Sequence, residues 1–363
     1  MSLVEFTVTR NTQKNVINSE GFLENVGNNV PGFEYKRELI VVFDDPESDS
    51  DEIEEVFTYR GALIEPASTN LCLQSENINT TWTANPNATP TQSTETTPDG
   101  DTSNKYIKLV DDDGGGSGAV FVQQSINVSA NTKYTASVFA KADGLSFLGL
   151  FAVLYDGATI GGQGFELSGA GSLDTASNLD DSKIEAYPNG WYRCSITWTQ
   201  GASDTNFIFR VRVNNSISNS TAVPLDGTSS IFVWGAQVEQ GSEPSSYIKT
   251  VGSIATRNAD IIRLLNADQY TPNEGQVVLE WEQYESDTLH IGLVSGSVEP
   301  GVRKLKFIYT STEQKLYIDD VLVDSITGNY DWSGMDKIEL GNFNGTDQPT
   351  THLRLFAINE NTV

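Results

Sequence analysis

Apolar and polar residues alternate with period two along most of the chain. From Trp191 to Trp198, Tyr192, Cys194, Ile196 and Trp198 fall on one side, and Trp191, Arg193, Ser195 and Thr197 on the other. From Phe207 to Val213, Phe207, Phe209, Val211 and Val213 share a face that reads as inward, while Ile208, Arg210 and Arg212 point the other way. Strand-like runs recur at 70–74, 106–110, 119–125, 132–140, 147–155, 164–167, 183–187, 191–199, 206–214 and 230–239. Turn-rich polar stretches separate them, and no helical period interrupts them. Many short strands at this spacing predict a sandwich or barrel.

The flanking regions read the same way. Residues 4–10 alternate as a strand, Asn18 to Gly21 forms a turn, and 22–26 pairs back as a hairpin. Residues 36–43 make a further strand, followed by an acidic loop over 44–55 with eight carboxylates, read as a solvated loop. After residue 258 strands are expected at 276–281, 304–309 and 315–324. The expected fold is therefore all-β. It has a β-hairpin lead-in over 1–60, a sandwich over 61–257 and a smaller sandwich over 258–363.

Three phrases within 61–257 give that region a more specific reading. They are Leu63-Ile64-Glu65-Pro66 with Thr69-Asn70-Leu71, then Gly190-Trp191-Tyr192-Arg193, then Trp234-Gly235-Ala236-Gln237-Val238-Glu239 with Ser246-Tyr247-Ile248 and Thr256-Arg257. In this order they resemble a module common in bacteriophage tail and fibre proteins, whose fold is a carbohydrate-binding-module-like jelly roll. The lead-in, with Thr9-Arg10, Asn18 to Gly21 and Val30 to Tyr35, resembles the segment that precedes that module. The run from Leu316 to Asp324, with Ile338 to Gly341 and His352 to Phe356, resembles laminin-G/concanavalin-like lectin sandwiches. Asp320 stands where that family carries a turn glycine.

The resemblance implies a non-enzymatic virion protein of the tail, fibre or baseplate, made in the host cytoplasm. It would bind host surface glycans, neighbouring virion proteins, or both, as a homo-oligomer and by preference a trimer. A bacterial glycan-binding accessory module is the alternative, and a capsule depolymerase a third.

Charge and chemistry narrow this further. Lys and Arg number 22 against 49 Asp and Glu, a formal charge of −27, which argues against nucleic acid and anionic membrane surfaces. No apolar run reaches membrane-spanning length, and the N-terminus lacks the pattern of a signal peptide. Cys72 and Cys194 read as free buried thiols. His290 and His352 sit in no recognisable catalytic phrase, and Gly161 to Gly164 and Gly114 to Gly116 read as turns, so no enzyme is expected.

In so acidic a chain, Arg193, Arg210 and Arg212 form a local cationic patch. Two readings stay open for it. The arginines either pair with neighbouring carboxylates on a solvated face, or they read a sugar acid or partner, with Trp191 or Tyr155 stacking on a sugar ring. Asp111, Asp112 and Asp113 are either a polar turn or a candidate calcium loop. No other cofactor is implied.

Overall fold

The computed structural model describes residues 6–9, 12–18, 22–28, 33–42, 52–153, 159–176, 178–218, 222–259, 261–265, 274–283, 287–291, 294–298, 301–310, 312–329, 337–340 and 351–359. The fold is all-β, with no α-helix among these residues and one short 3-10 turn at Pro188–Gly190. The chain forms two compact units. One comprises 21–23 and 68–256, and the other comprises 1–20, 24–67 and 257–363.

The first unit is built on eight strands: β1 (Lys105–Asp111), β2 (Val120–Asn127), β3 (Lys133–Ala142), β4 (Phe147–Val153), β5 (Thr159–Glu166), β6 (Trp191–Thr199), β7 (Asn206–Asn214) and β8 (Ser230–Gln240). They hydrogen-bond in the orders β1-β8-β3-β6 and β2-β7-β4-β5, all antiparallel. First beside eighth, third beside sixth, and second-seventh-fourth-fifth in the facing sheet is the connectivity of a jelly roll. Short strands widen both sheets: Ala88–Ser93 pairs with β1, Asp181–Ala186 with β6, Thr83–Ala84 with β2, and Ser172–Leu173 with β5.

Alternation places the core between the sheets. Val120, Val122 and Ile126 of β2, Leu148 and Leu150 of β4, and Phe207, Phe209, Val211 and Val213 of β7 meet Ala136 and Val138 of β3, Cys194, Ile196 and Trp198 of β6, and Val233 and Val238 of β8. Cys72 and Cys194 are free and fully buried, and burial pushes both thiols above their ordinary range.

The two sheets differ on their outer sides. In β2 and β7 every second residue is partly exposed, so that sheet presents one face to solvent. In β3, β6 and β8 almost every residue is buried, so that part of the other sheet is covered on both faces, while β1 keeps a partly exposed side.

Two expected elements differ here. The 70–74 strand ends at Asn70, and Gln74 has φ +51. Gly161 to Gly164, read as a turn, lie inside strand β5.

The second unit is built around an antiparallel seven-stranded sheet. Its order is Val321–Thr327, Glu313–Ile318, Gly301–Thr310, Glu274–Gln283, Thr351–Asn359, Glu52–Ile64 and Phe33–Val42. Strands of the lead-in are thus hydrogen-bonded into one sheet with C-terminal strands, and a boundary at 60/61 cuts through Glu52–Ile64. Phe6–Thr9, Ile261–Leu265 and Lys337–Leu340 form a three-stranded sheet. Leu23–Val26 pairs with Lys14–Ile17 and not with the 4–10 strand that alternation suggests, which joins Ile261–Leu265 instead.

Part of the acidic stretch, Glu52 to Glu55, is in strand, while 43–51 lie outside the described residues. The hairpin at Asp319-Asp320 turns with φ of +51 and +64. That is the signature of a type I′ turn, made here without glycine.

Candidate functional site

Asn70, Arg193, Gln237, Glu239 and Ile248, drawn from the three phrases, lie in one buried polar network on the covered face. The Asn70 carboxamide is fully buried and uses all four of its hydrogen-bonding positions. Nδ2 donates to the Ala236 carbonyl at 3.1 Å and the Ile248 carbonyl at 2.8 Å, while Oδ1 accepts from the N–H of Cys72 at 3.0 Å and of Val238 at 3.1 Å. Gln237 Oε1 accepts from the Ile248 N–H at 2.7 Å. Glu239 accepts from Gln237 Nε2 at 2.6 Å, from the Ser245 N–H at 2.9 Å and from the Ser68 hydroxyl. Together these bonds hold residues 245–250 over the sheet.

Arg193 lies beneath that cover and Trp191 is buried against Thr96 and Phe232, which corrects their assignment as outward ligand contacts. Trp191 is 0% exposed and donates Nε1 to the Thr96 carbonyl at 2.7 Å. Arg193 is 7% exposed, donates Nη2 to the Ser245 carbonyl at 2.7 Å and to Ser137 Oγ at 3.2 Å, and lies 5.4 Å from the Phe139 ring. Period two assigns them correctly to the side opposite the core. It carries no information about a further layer covering that side.

Arg210 and Arg212 do lie on the open face, at the middle of the sheet of β2, β4, β5 and β7. Across β2, Arg212 stands opposite Phe121 and Arg210 opposite Gln123. Across β4, they stand opposite Gly149 and Phe151. Arg210 Nε donates to Gln123 Oε1 at 3.0 Å, and its guanidinium lies 4.2 Å from the centre of the Phe121 ring. Among the described residues no carboxylate pairs with Arg210.

Burial pulls both guanidinium groups below their ordinary pKa, and for Arg212 the neighbouring Arg210 charge adds to the shift. The two guanidinium groups lie two residues apart on one strand face, about 7 Å along the strand.

Beside them the sheet is floored with glycine. A Cβ on Gly149 would come 2.9 Å from Phe151 Cε2, and one on Gly162 would come 2.5 Å from Phe151 Cδ1. The Phe151 ring therefore lies close over this floor, half-buried beside the arginines. This is the physical reason for Gly162 inside β5. Phe121, Gln123 and Phe151 join the site through strand pairings that a single sequence does not display. The outward alternation of β7 points at Arg210 and Arg212 alone. Tyr155 lies outside the described residues.

The Asp111–Asp113 turn is held by backbone N–H groups of its own and of residues 227–229. Asp111 is buried, and it accepts from the N–H of Asp113 at 2.9 Å, of Gly227 at 2.7 Å and of Ser229 at 2.8 Å. Asp112 accepts from the Gly114 N–H at 3.2 Å. Among the described residues no three His, Cys, Asp or Glu side chains converge as metal ligands.

No protein-family model matches the chain, and no curated protein does.

Proposed function

We propose that this chain is a non-enzymatic structural and adhesion component of a bacteriophage virion, of the tail, fibre or baseplate. Its jelly roll would bind host surface glycans through the open face of the β2-β7-β4-β5 sheet. The observation that carries the glycan reading is the pair Arg210 and Arg212, half-buried on a sheet floored by glycine and flanked by Phe121 and Phe151.

Guanidinium groups recognise carboxylates in a fork geometry, and phenyl faces accept the apolar side of a sugar ring. The ligand class is accordingly a glycan bearing sugar acids. The virion setting rests on the resemblance of the three phrases and the lead-in to phage tail modules. The same setting favours a homo-oligomer, with a trimer as its form, contacting neighbouring virion proteins.

A glycan array probed with the wild-type chain and with Arg210→Ala and Arg212→Ala tests the reading. Loss of acidic-glycan signal in both variants supports it, and an unchanged array removes it.

A further inference from the structure

The opposite sheet carries a second recess. Where Ala88–Ser93 and the start of β1 meet residues 74–77 and 249–251, a cleft of 340 Å³ opens, lined in part by Gln74, Gln92, Asn104 and Tyr106. That volume suits one or two sugar rings. Arg210 and Arg212 belong to the facing sheet, so the two places are distinct.

Positive charge in the cleft is cancelled. Glu76 Oε2 receives Lys249 Nζ at 2.7 Å and Lys105 Nζ at 3.3 Å, and Lys105 also pairs with Asp101 at 2.8 Å. Two ammonium groups stand against two carboxylates. Part burial pulls Lys105 down, but Asp101 and Glu76 outweigh it and hold the ammonium above its usual pKa. The lysines are committed to carboxylates, Asp99 adds a further negative charge near Lys105, and no surplus positive charge is left to draw an anionic ligand.

The groups left over are neutral. Gln92 Oε1 accepts from Asn104 Nδ2 at 3.3 Å, which leaves the Gln92 amide and the Asn104 carbonyl without a partner among the described residues. The Gln74 carboxamide and the Tyr106 hydroxyl likewise have none there. Gln74 lines the cleft from a left-handed backbone, φ +51, a conformation that costs free energy for any residue with a Cβ. Its N–H donates to the Val251 carbonyl at 2.8 Å and its carbonyl accepts from the Asn77 N–H at 3.0 Å, which fixes it there.

A carboxamide offers a donor and an acceptor side by side, and so does each hydroxyl of a vicinal pair on a sugar. The half-exposed Tyr106 ring adds an apolar surface for the ring C–H face. From this arrangement we infer that the cleft is a second carbohydrate site, selective for a neutral saccharide unit. It does not depend on the acid-reading face, and the two would let one jelly roll engage a branched or mixed-charge glycan at two points.

Saturation-transfer NMR with glucose, galactose, mannose, N-acetylglucosamine, lactose and maltose as separate probes tests the inference. The protein is used as the wild type and as Gln74→Gly, Asn104→Ala and Arg210→Ala variants. Gln74→Gly keeps the left-handed backbone while removing the carboxamide. At least one neutral probe is expected to bind the wild type, to weaken about tenfold in Gln74→Gly and in Asn104→Ala, as the loss of one or two hydrogen bonds implies, and to bind Arg210→Ala undiminished.

The inference is overturned if no probe binds, or if binding survives both cleft variants. It is also overturned if Arg210→Ala alone abolishes binding. Galacturonate run alongside reports on the arginine face independently, so failure of one site is told from failure of the other.

Discussion

Lys14 Nζ stands 2.9 Å from Glu65 Oε2 with both side chains sealed from solvent, and Arg257 Nη2 lies 3.7 Å from the other oxygen of the same carboxylate. Lys14 comes from the lead-in, Glu65 from the phrase that opens the jelly-roll region, and Arg257 from the Thr-Arg that closes it. One buried acid therefore ties three distant parts of the sequence within one compact unit. Lys14 Nζ also donates to the Leu63 carbonyl at 2.7 Å. Replacing Glu65 with Ala strands two buried cations, a loss of about 3–5 kcal/mol. Calorimetry is expected to show the transition of that unit moving down, and an unmoved transition contradicts the buried network.

Asn70 has a parallel role in the jelly roll. Asn70→Ala removes four hydrogen bonds to backbone groups that stay buried, at about 1–3 kcal/mol for each one left unpaired. Some groups will recover a partner by relaxation, so a net destabilisation of about 4 kcal/mol is expected from urea denaturation. A cost under about 1 kcal/mol, the size of a typical surface effect, would mean that the network does not hold the covering segment.

Gly235 occupies β8 with φ +65 beside a register shift between Ser137 and Phe139, and a Cβ there would come 2.8 Å from Phe139 Cδ2. Gly235→Ala meets both a left-handed backbone and an aromatic ring packed against Tyr187, Trp234 and Tyr247. A loss of about 3 kcal/mol is expected in chemical denaturation, from backbone strain and overpacking together. The control Gly115→Ala, in an exposed turn with nothing near its Cβ position, carries the backbone part alone and is expected to cost about 1 kcal/mol.

The Asp319-Asp320 hairpin gives a prediction of opposite sign. Asp320 holds φ +64 and contributes an exposed ion pair to Lys304 at 3.2 Å. Asp320→Gly removes the strain of a left-handed residue at the loss of a weak surface pair. A stabilisation of about 0.5–1 kcal/mol is expected, read as a rise in the melting temperature of that hairpin's unit. A fall would show that the ion pair outweighs the backbone strain.

What the sequence reveals and what it conceals divide along physical lines. Period-two alternation is a property of neighbouring residues, so β2, β6, β7 and β8 are legible almost to their ends, as is the inward set Phe207, Phe209, Val211 and Val213. Strand partners are set by contacts far apart in the chain. Nothing local announces that Gln123 accepts from Arg210, or that Phe151 lies over Gly149 and Gly162. For the same reason Gly161 to Gly164 look like a turn when read alone. Trp191 and Arg193 are outward relative to the core, as alternation says, yet buried, because Thr96 covers the first and residues 245–250 the second, a layer that no period can announce. Of the residues that form the open site, Arg210 and Arg212 were readable from alternation and charge, whereas their phenylalanine and glutamine neighbours were not.

The account turns on the claim that the open sheet reads acidic sugars through Arg210 and Arg212. The most direct measurement compares calorimetric binding of one uronic-acid-containing oligosaccharide with that of the same oligosaccharide after reduction of its carboxylates to alcohols. The account predicts that the native oligosaccharide binds, that carboxyl reduction weakens it about tenfold or more, and that Arg210→Lys reproduces much of this loss because an ammonium lacks the planar fork. Equal binding of the native and reduced oligosaccharides would contradict it.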